Sequence, residues 1–148
     1  MKQKLFLILV MSLLLVIFTY QSYAASNVMI STSKDIQASN GASSTFTGYL
    51  VDQICAKKGV GFDGSDLIHH PETHTLRCLK MPVCIASGYG IYVKDQNDTY
   101  VFYKFDQKGS DLALANIVNK TKKTDNIIVE VKGKFKDNTI MVESILEK

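Results

Sequence analysis

Along residues 45–53, "TFTGYLVDQ", apolar side chains alternate, with Phe46, Gly48 and Leu50 on one side and Tyr49 and Val51 on the other. A period of two built from β-branched and aromatic residues predicts a strand, and Gly48 within it predicts a bulge or tight bend. The same period returns in "GIYVKD" and "TYVFYKFD", joined through "QN" as a hairpin. It returns again in "NIIVEVKGKFK" and "TIMVESILEK" around Asp137-Asn138, with Val129, Val131, Ile140 and Val142 on one face. Between the hairpins the period changes. In "GSDLALANIVNKTKK", Leu112, Ala115, Ile117 and Val118 make one helical face, with Ser110 as the cap and Asp111 near the positive end.

Residues 54–73 hold three glycines, a proline and no sustained period, which predicts a long loop; loops of this length inside compact domains tend to be functional or mobile. From about residue 73 to 86, Leu76, Leu79, Met81, Val83 and Ile85 predict a short helix that Pro82 interrupts or restarts and Gly88 closes. The predicted class is therefore mainly β. Five strands, with one helix between strands 3 and 4 and a Cys/His-containing insertion between strands 1 and 2, give the element order of a small OB-like barrel. An α+β roll is the alternative. On the barrel reading, the insertion borders the usual ligand face.

The amino terminus is different in kind. Lys2 and Lys4 precede an apolar block from Leu5 to Phe18, followed by Ser22-Tyr23-Ala24, the layout of a secretory signal peptide over residues 1–24. The block is shorter than the roughly 20 residues a spanning helix requires, so no stable membrane span is expected after cleavage. Residues 25–44, rich in Ser, Thr, Asn and Ala, read as a flexible tether. This leaves 45–148 as a single domain, destined for the periplasm, cell envelope or exterior.

Loss of Lys2 and Lys4 takes the formal charge from +3 to +1. A surface so nearly neutral gives little electrostatic reason to bind nucleic acid.

The candidate chemistry sits in "HTLRCLKMPVC", residues 74–84. It gathers His74, Cys78, Met81 and Cys84 in a chain with three cysteines and three histidines. On one continuous helix His74, Cys78 and Met81 would share a stripe of soft ligands, suited to zinc, copper or haem iron. Cys55, His74, Cys78 and Cys84 compose a Cys3His set, with Met81 as an additional candidate ligand. The same cysteines are disulfide candidates. In an unbroken helix Cys78 and Cys84 would stand roughly 9 Å apart, so they pair only if the chain turns at Pro82; otherwise Cys55 pairs with one of them. An odd count leaves one thiol over.

His69 and His70 read as solvated or capping residues. The aromatics of the central hairpin read as core, since alternation turns about half of them inward. Asp52, Asp63, Asp66 and Glu72 lie in or near the insertion without a spacing that assigns them a role.

The stretches "TGYLVDQICA", "THTLRCLKMPVCIASGYGIYV", "VFYKFD" and "VEVKGKFKDNTIMVESI" together resemble small exported bacterial proteins of uncharacterised function. Those share a Gly-x3-Asp-x2-Cys start, a His-x3-Cys-x5-Cys middle and an OB-like end. The matching residues are Gly48, Asp52, Cys55, His74, Cys78, Cys84, Ser87 and Gly88. The resemblance implies one local unit and carries no activity with it.

The expectation is thus a secreted or envelope binding module, rather than an enzyme, with a Cys/His centre for a soft metal or haem. Its rivals are a disulfide-stapled module binding a peptide, glycan or protein, and a thiol-redox protein lacking Cys-x-x-Cys.

Overall fold

A computed structural model describes residues 42–148; the expected signal peptide and most of the expected tether fall outside the described residues. The strands are β1 (Ser43–Asp52), β2 (Tyr89–Lys94), β3 (Tyr100–Phe105), β4 (Ile128–Lys136) and β5 (Thr139–Glu147). They form a mixed sheet that rings round in the order β1-β2-β3-β5-β4. Every pairing is antiparallel except the short parallel one between β3 and β5. The β-rich class expected from the alternation is what the structure shows. Helices are few and short: α1 (Gln53–Lys58), α2 (Leu76–Leu79) and α3 (Pro82–Ser87) between β1 and β2, and α4 (Gln107–Ala113) between β3 and β4.

β1 belongs to two ladders. Ser43 to Tyr49 pair with β4 and Tyr49 to Asp52 pair with β2, so Tyr49 faces both Ile128 and Tyr92. The register runs unbroken through Gly48, opposite Val129. A side chain there would run into the carbonyl oxygen of Tyr92, so close backbone approach, rather than the expected bulge, is what calls for glycine.

Alternation along β1 supplies two cores. Phe46 and Leu50 point into the main apolar cluster with Ile91, Val131 and Ile140. Val51 points into a second cluster with Cys55, Leu67, Cys78, Cys84 and Tyr92. Each fully buried aliphatic side chain contributes about 1.5–3 kcal/mol. Tyr89, Tyr92, Tyr103 and Phe105 are buried, as core aromatics. The insertion thus has its own apolar interior under the end of β1.

Three elements differ from expectation. The stretch from residue 54 begins as helix α1. Beyond it the loop is tightly bonded, with a bridge between Val60 and Asp66 and the Leu67 amide donating to the Gly59 carbonyl. The helix expected from 73 to 86 is two, α2 and α3, because Pro82 occupies the first position of a new helix. Finally, α4 starts earlier than Ser110. Asp106 caps it, accepting from the Gly109 amide at 2.9 Å, while buried Ser110 accepts from the Tyr89 amide at 3.0 Å.

The second hairpin turns through Asp137 and Asn138 with φ of 50° and 57°, as a type I′ turn requires. No helix among the described residues is long and apolar enough to cross a membrane.

Candidate metal centre

β1 runs straight into α1. Asp52, fully buried, caps the helix, its Oδ1 accepting from the Cys55 amide at 3.0 Å. Cys55 is thereby the third helical residue. α2 repeats the device: Thr75 caps it, Oγ1 accepting from the amide of Cys78, again the third residue, at 3.2 Å. Caps of this kind contribute about 1 kcal/mol each. Cys84 is the third residue of α3, which Pro82 opens. Three short helices therefore each present a cysteine from the first turn.

His74 lies outside any α-helix. It follows a 3-10 turn, Pro71–Thr73, in extended conformation, so the expected helical stripe of His74, Cys78 and Met81 does not form. Met81 precedes α3 as its N-cap residue and packs, half-buried, against the second apolar cluster. What brings His74 to the cysteines is the turn, not helical periodicity.

Candidate ligand atoms of Asp52, Cys55, His74 and Cys78 all lie within 4.8 Å of one another, and all four residues are buried. Cys55 Sγ is 3.9 Å from Cys78 Sγ and 4.0 Å from Cys84 Sγ, and the three thiols are unbonded. The convergent set therefore contains Asp52, with Cys84 in contact with Cys55 beside it. Burial pushes the Cys55 thiol up to about 12, with Asp52 adding to the effect, and burial raises the Cys84 thiol as well. Burial works against ionisation of Asp52 too, but hydrogen bonds from His74 and Cys55 outweigh it and hold the carboxyl below its ordinary range.

A hydrogen-bonded chain supports the set. His74 Nε2 meets Asp52 Oδ2 at 3.0 Å and Nδ1 meets Ser65 Oγ at 3.1 Å. Ser65 directs its hydroxyl proton to Asp63 Oδ1 at 2.6 Å, so its oxygen accepts from the imidazole. Asp63 Oδ2 accepts from both the hydroxyl and the amide of Thr75, at 2.6 and 2.9 Å. Burial disfavours the Asp63 anion, yet the Ser65 and Thr75 hydrogen bonds win and lower its pKa strongly. No buried side-chain nitrogen or oxygen among the described residues lacks a partner. Gly61 lets the chain close: a Cβ there would collide with Asp63 Oδ1 and Ser65 Oγ and come within 3.0 Å of His74 Nδ1.

His69 and His70 stay outside. Both are exposed and pair with Asp66 Oδ2 at 2.8 Å and Glu72 Oε1 at 3.0 Å. The residues without an assigned role in the sequence are Asp52 as a candidate ligand and Asp63 with Ser65 as supports. A signal for Asp52 was present: a capping residue, two others and a cysteine occur twice, in Asp52-Gln-Ile-Cys55 and Thr75-Leu-Arg-Cys78.

No protein family, curated protein or solved structure matches this chain.

Proposed function

We propose that this chain is an exported binding module of OB-like build whose Asp52, Cys55, His74 and Cys78 hold one soft transition-metal ion, zinc first among them. The observation that carries the reading is the convergence of four buried ligand atoms within 4.8 Å. Two thiolates on one tetrahedral zinc at about 2.3 Å would stand about 3.8 Å apart, and Cys55 and Cys78 are separated by 3.9 Å. The surroundings are of the kind that tunes a bound metal. His74 offers Nε2 on the Asp52 side while Ser65 holds Nδ1, the usual way a ligating imidazole is oriented.

Four protein ligands in a closed interior make a structural site rather than a catalytic one, which keeps an open position. The packing also favours a bare ion over haem, since the sulfurs converge inside an apolar cluster with Val51, Leu67 and Tyr92. The OB-like reading rests on the strand order and on the helix between β3 and β4. Export rests on Lys2, Lys4 and the apolar block that follows.

Titration of the reduced, metal-free protein with cobalt(II) and then zinc(II) tests the reading. One equivalent of cobalt should give thiolate charge-transfer absorption that zinc displaces, and Cys55→Ser or Cys78→Ser should abolish it while the far-UV circular dichroism is kept. Failure of the wild type to take up either ion would overturn it.

A further inference from the structure

The proposed ligand set uses two of three cysteines, and the third is in contact with one of them. Cys84 Sγ lies 4.0 Å from Cys55 Sγ, with both residues unexposed. Their helices are pinned together. The Gln53 amide donates to the Gly88 carbonyl at 2.9 Å, and the Ile54 amide donates to Ser87 Oγ at 3.2 Å. Ser87 Oγ in turn donates to the Cys84 carbonyl at 2.8 Å. The contact between the two sulfurs is therefore held by the backbone of α1 and α3. A surface cleft opens over the same junction, lined by Ile54 and Ala56, the neighbours of Cys55 on either side, and by Ser87.

We propose, building on the metal reading above, that Cys84 is a resolving thiol and that a hydroperoxide opens the centre by forming a Cys55–Cys84 disulfide. In the first step the Cys55 thiolate attacks the distal oxygen of the peroxide. The O–O bond breaks, the transferred oxygen keeps the hydrogen it carried so that Cys55 becomes a sulfenic acid, and hydroxide or alkoxide leaves. In the second step the Cys84 sulfur attacks the Cys55 sulfur. The S–S bond forms, the S–O bond breaks, and the Cys84 proton departs with the hydroxyl as water. Two thiols are oxidised by two electrons and one peroxide is reduced, so the sequence balances.

Cys55 is the sulfur in contact with both others, so any intramolecular link to be made at short range includes it. Cys55 and Cys78 would both be thiolates bound to the ion, whereas Cys84, outside the ligand set, keeps a thiol free to resolve the sulfenic acid. Closing from 4.0 Å to about 2.05 Å is a change that side-chain rotation and small shifts of α3 can deliver. The oxidised centre would retain Asp52, His74 and Cys78 and would hold the ion with one thiolate, and one negative charge, fewer. The third cysteine would thus make the site releasable.

The test uses the full chain loaded with zinc and one equivalent of hydrogen peroxide. Zinc release is read by a chromophoric chelator, and cysteine linkage by mass spectrometry after alkylation. Stoichiometric release with a Cys55–Cys84 linked peptide and an alkylated Cys78 is the expected result. A Cys55–Cys78 link, or three alkylated thiols after release, overturns the proposal. Cys84→Ser should bind zinc within about threefold of wild type but release it at least tenfold more slowly; release at the wild-type rate overturns it too. Should the wild type take up no metal, the metal reading fails by itself. Peroxide mapping of the metal-free chain then still decides, since a Cys55–Cys84 link upholds the resolving role and any other pattern ends it.

Discussion

The backbone amides of Cys55 and Cys78 are the two ends of one hydrogen-bonded chain, running through Asp52, His74, Ser65, Asp63 and Thr75. Two residues separated by 23 positions are thereby fixed relative to each other by side chains that also surround the candidate ligand atoms. A break anywhere along this path should loosen both cysteines at once.

His74 is the middle link, with its side chain 1 % exposed against an Asp52 side chain at 0 %. His74→Ala leaves the buried Asp52 carboxylate without its imidazole partner and Ser65 Oγ without the contact from Nδ1. The expected loss is about 3 kcal/mol of stability, at the low end for removing one member of a buried pair. Urea unfolding of the metal-free protein measures it. Zinc affinity should fall at least 100-fold in the same variant, read by competition with a chelator.

Asp63 predicts the acid limb of stability. Its folded pKa lies below the ordinary carboxylate value, so the stabilisation it contributes is complete above about pH 4, where the unfolded carboxyl is ionised. It is lost as the pH falls from there toward the folded value. Asp63→Asn should be less stable at pH 7 and should show a flatter decline between pH 5 and 3. An unchanged slope in that variant would remove Asp63 from the account.

Cys55 predicts the alkaline limb. Its folded thiol titrates near 12 against an ordinary value of 9.0. Stability of the reduced, metal-free protein is therefore full below about pH 9 and declines as the pH rises through that interval. The urea midpoint should drop between pH 8 and pH 10.5. Cys55→Ala should lower the midpoint at both values and flatten the difference between them.

Two glycines of the insertion separate packing from backbone strain. Gly61→Ala pushes on Asp63, Ser65 and His74, and is expected to cost about 1–3 kcal/mol and to weaken zinc binding about tenfold. Gly64 has φ of 86° and open space around it. Gly64→Ala should cost about 1 kcal/mol through strain and leave zinc affinity unchanged. Paired thermal melts and chelator competition distinguish the two outcomes.

The strands were legible because their signals are local. Asp137 and Asn138 announce a turn type, and Val129, Val131, Ile140 and Val142 are all buried as their alternation implies. The sequence alone does not separate Asp106 from Ser110 as the cap of α4, because both are good capping residues. What decides is that Asp106 also accepts from the Val142 amide at 3.1 Å, a contact made only by the folded sheet. α1 stayed hidden because six residues are too few to show a helical period, and Asp52 reads as the end of a strand. His74, Cys55, Cys78 and Cys84 could be picked out by residue type. The part played by Asp52, 22 positions before His74, and by Asp63 depends on how the insertion folds back, which no spacing rule encodes.

The seam between β3 and β5 has two residue pairs, Lys104 with Thr139 and Phe105 with Ile140, reinforced at Asp106, whose amide donates to the Ile140 carbonyl and whose Oδ1 accepts from the Val142 amide. The ladders on either side of it, β2 with β3 and β4 with β5, are longer, and neither β1 nor β2 takes part in it. Amide hydrogen exchange should therefore reach this seam through small, frequent openings, while the β1 amides paired with β4 wait for global unfolding. The molecule would breathe along this one seam and keep the strand that carries Asp52 closed while it does so.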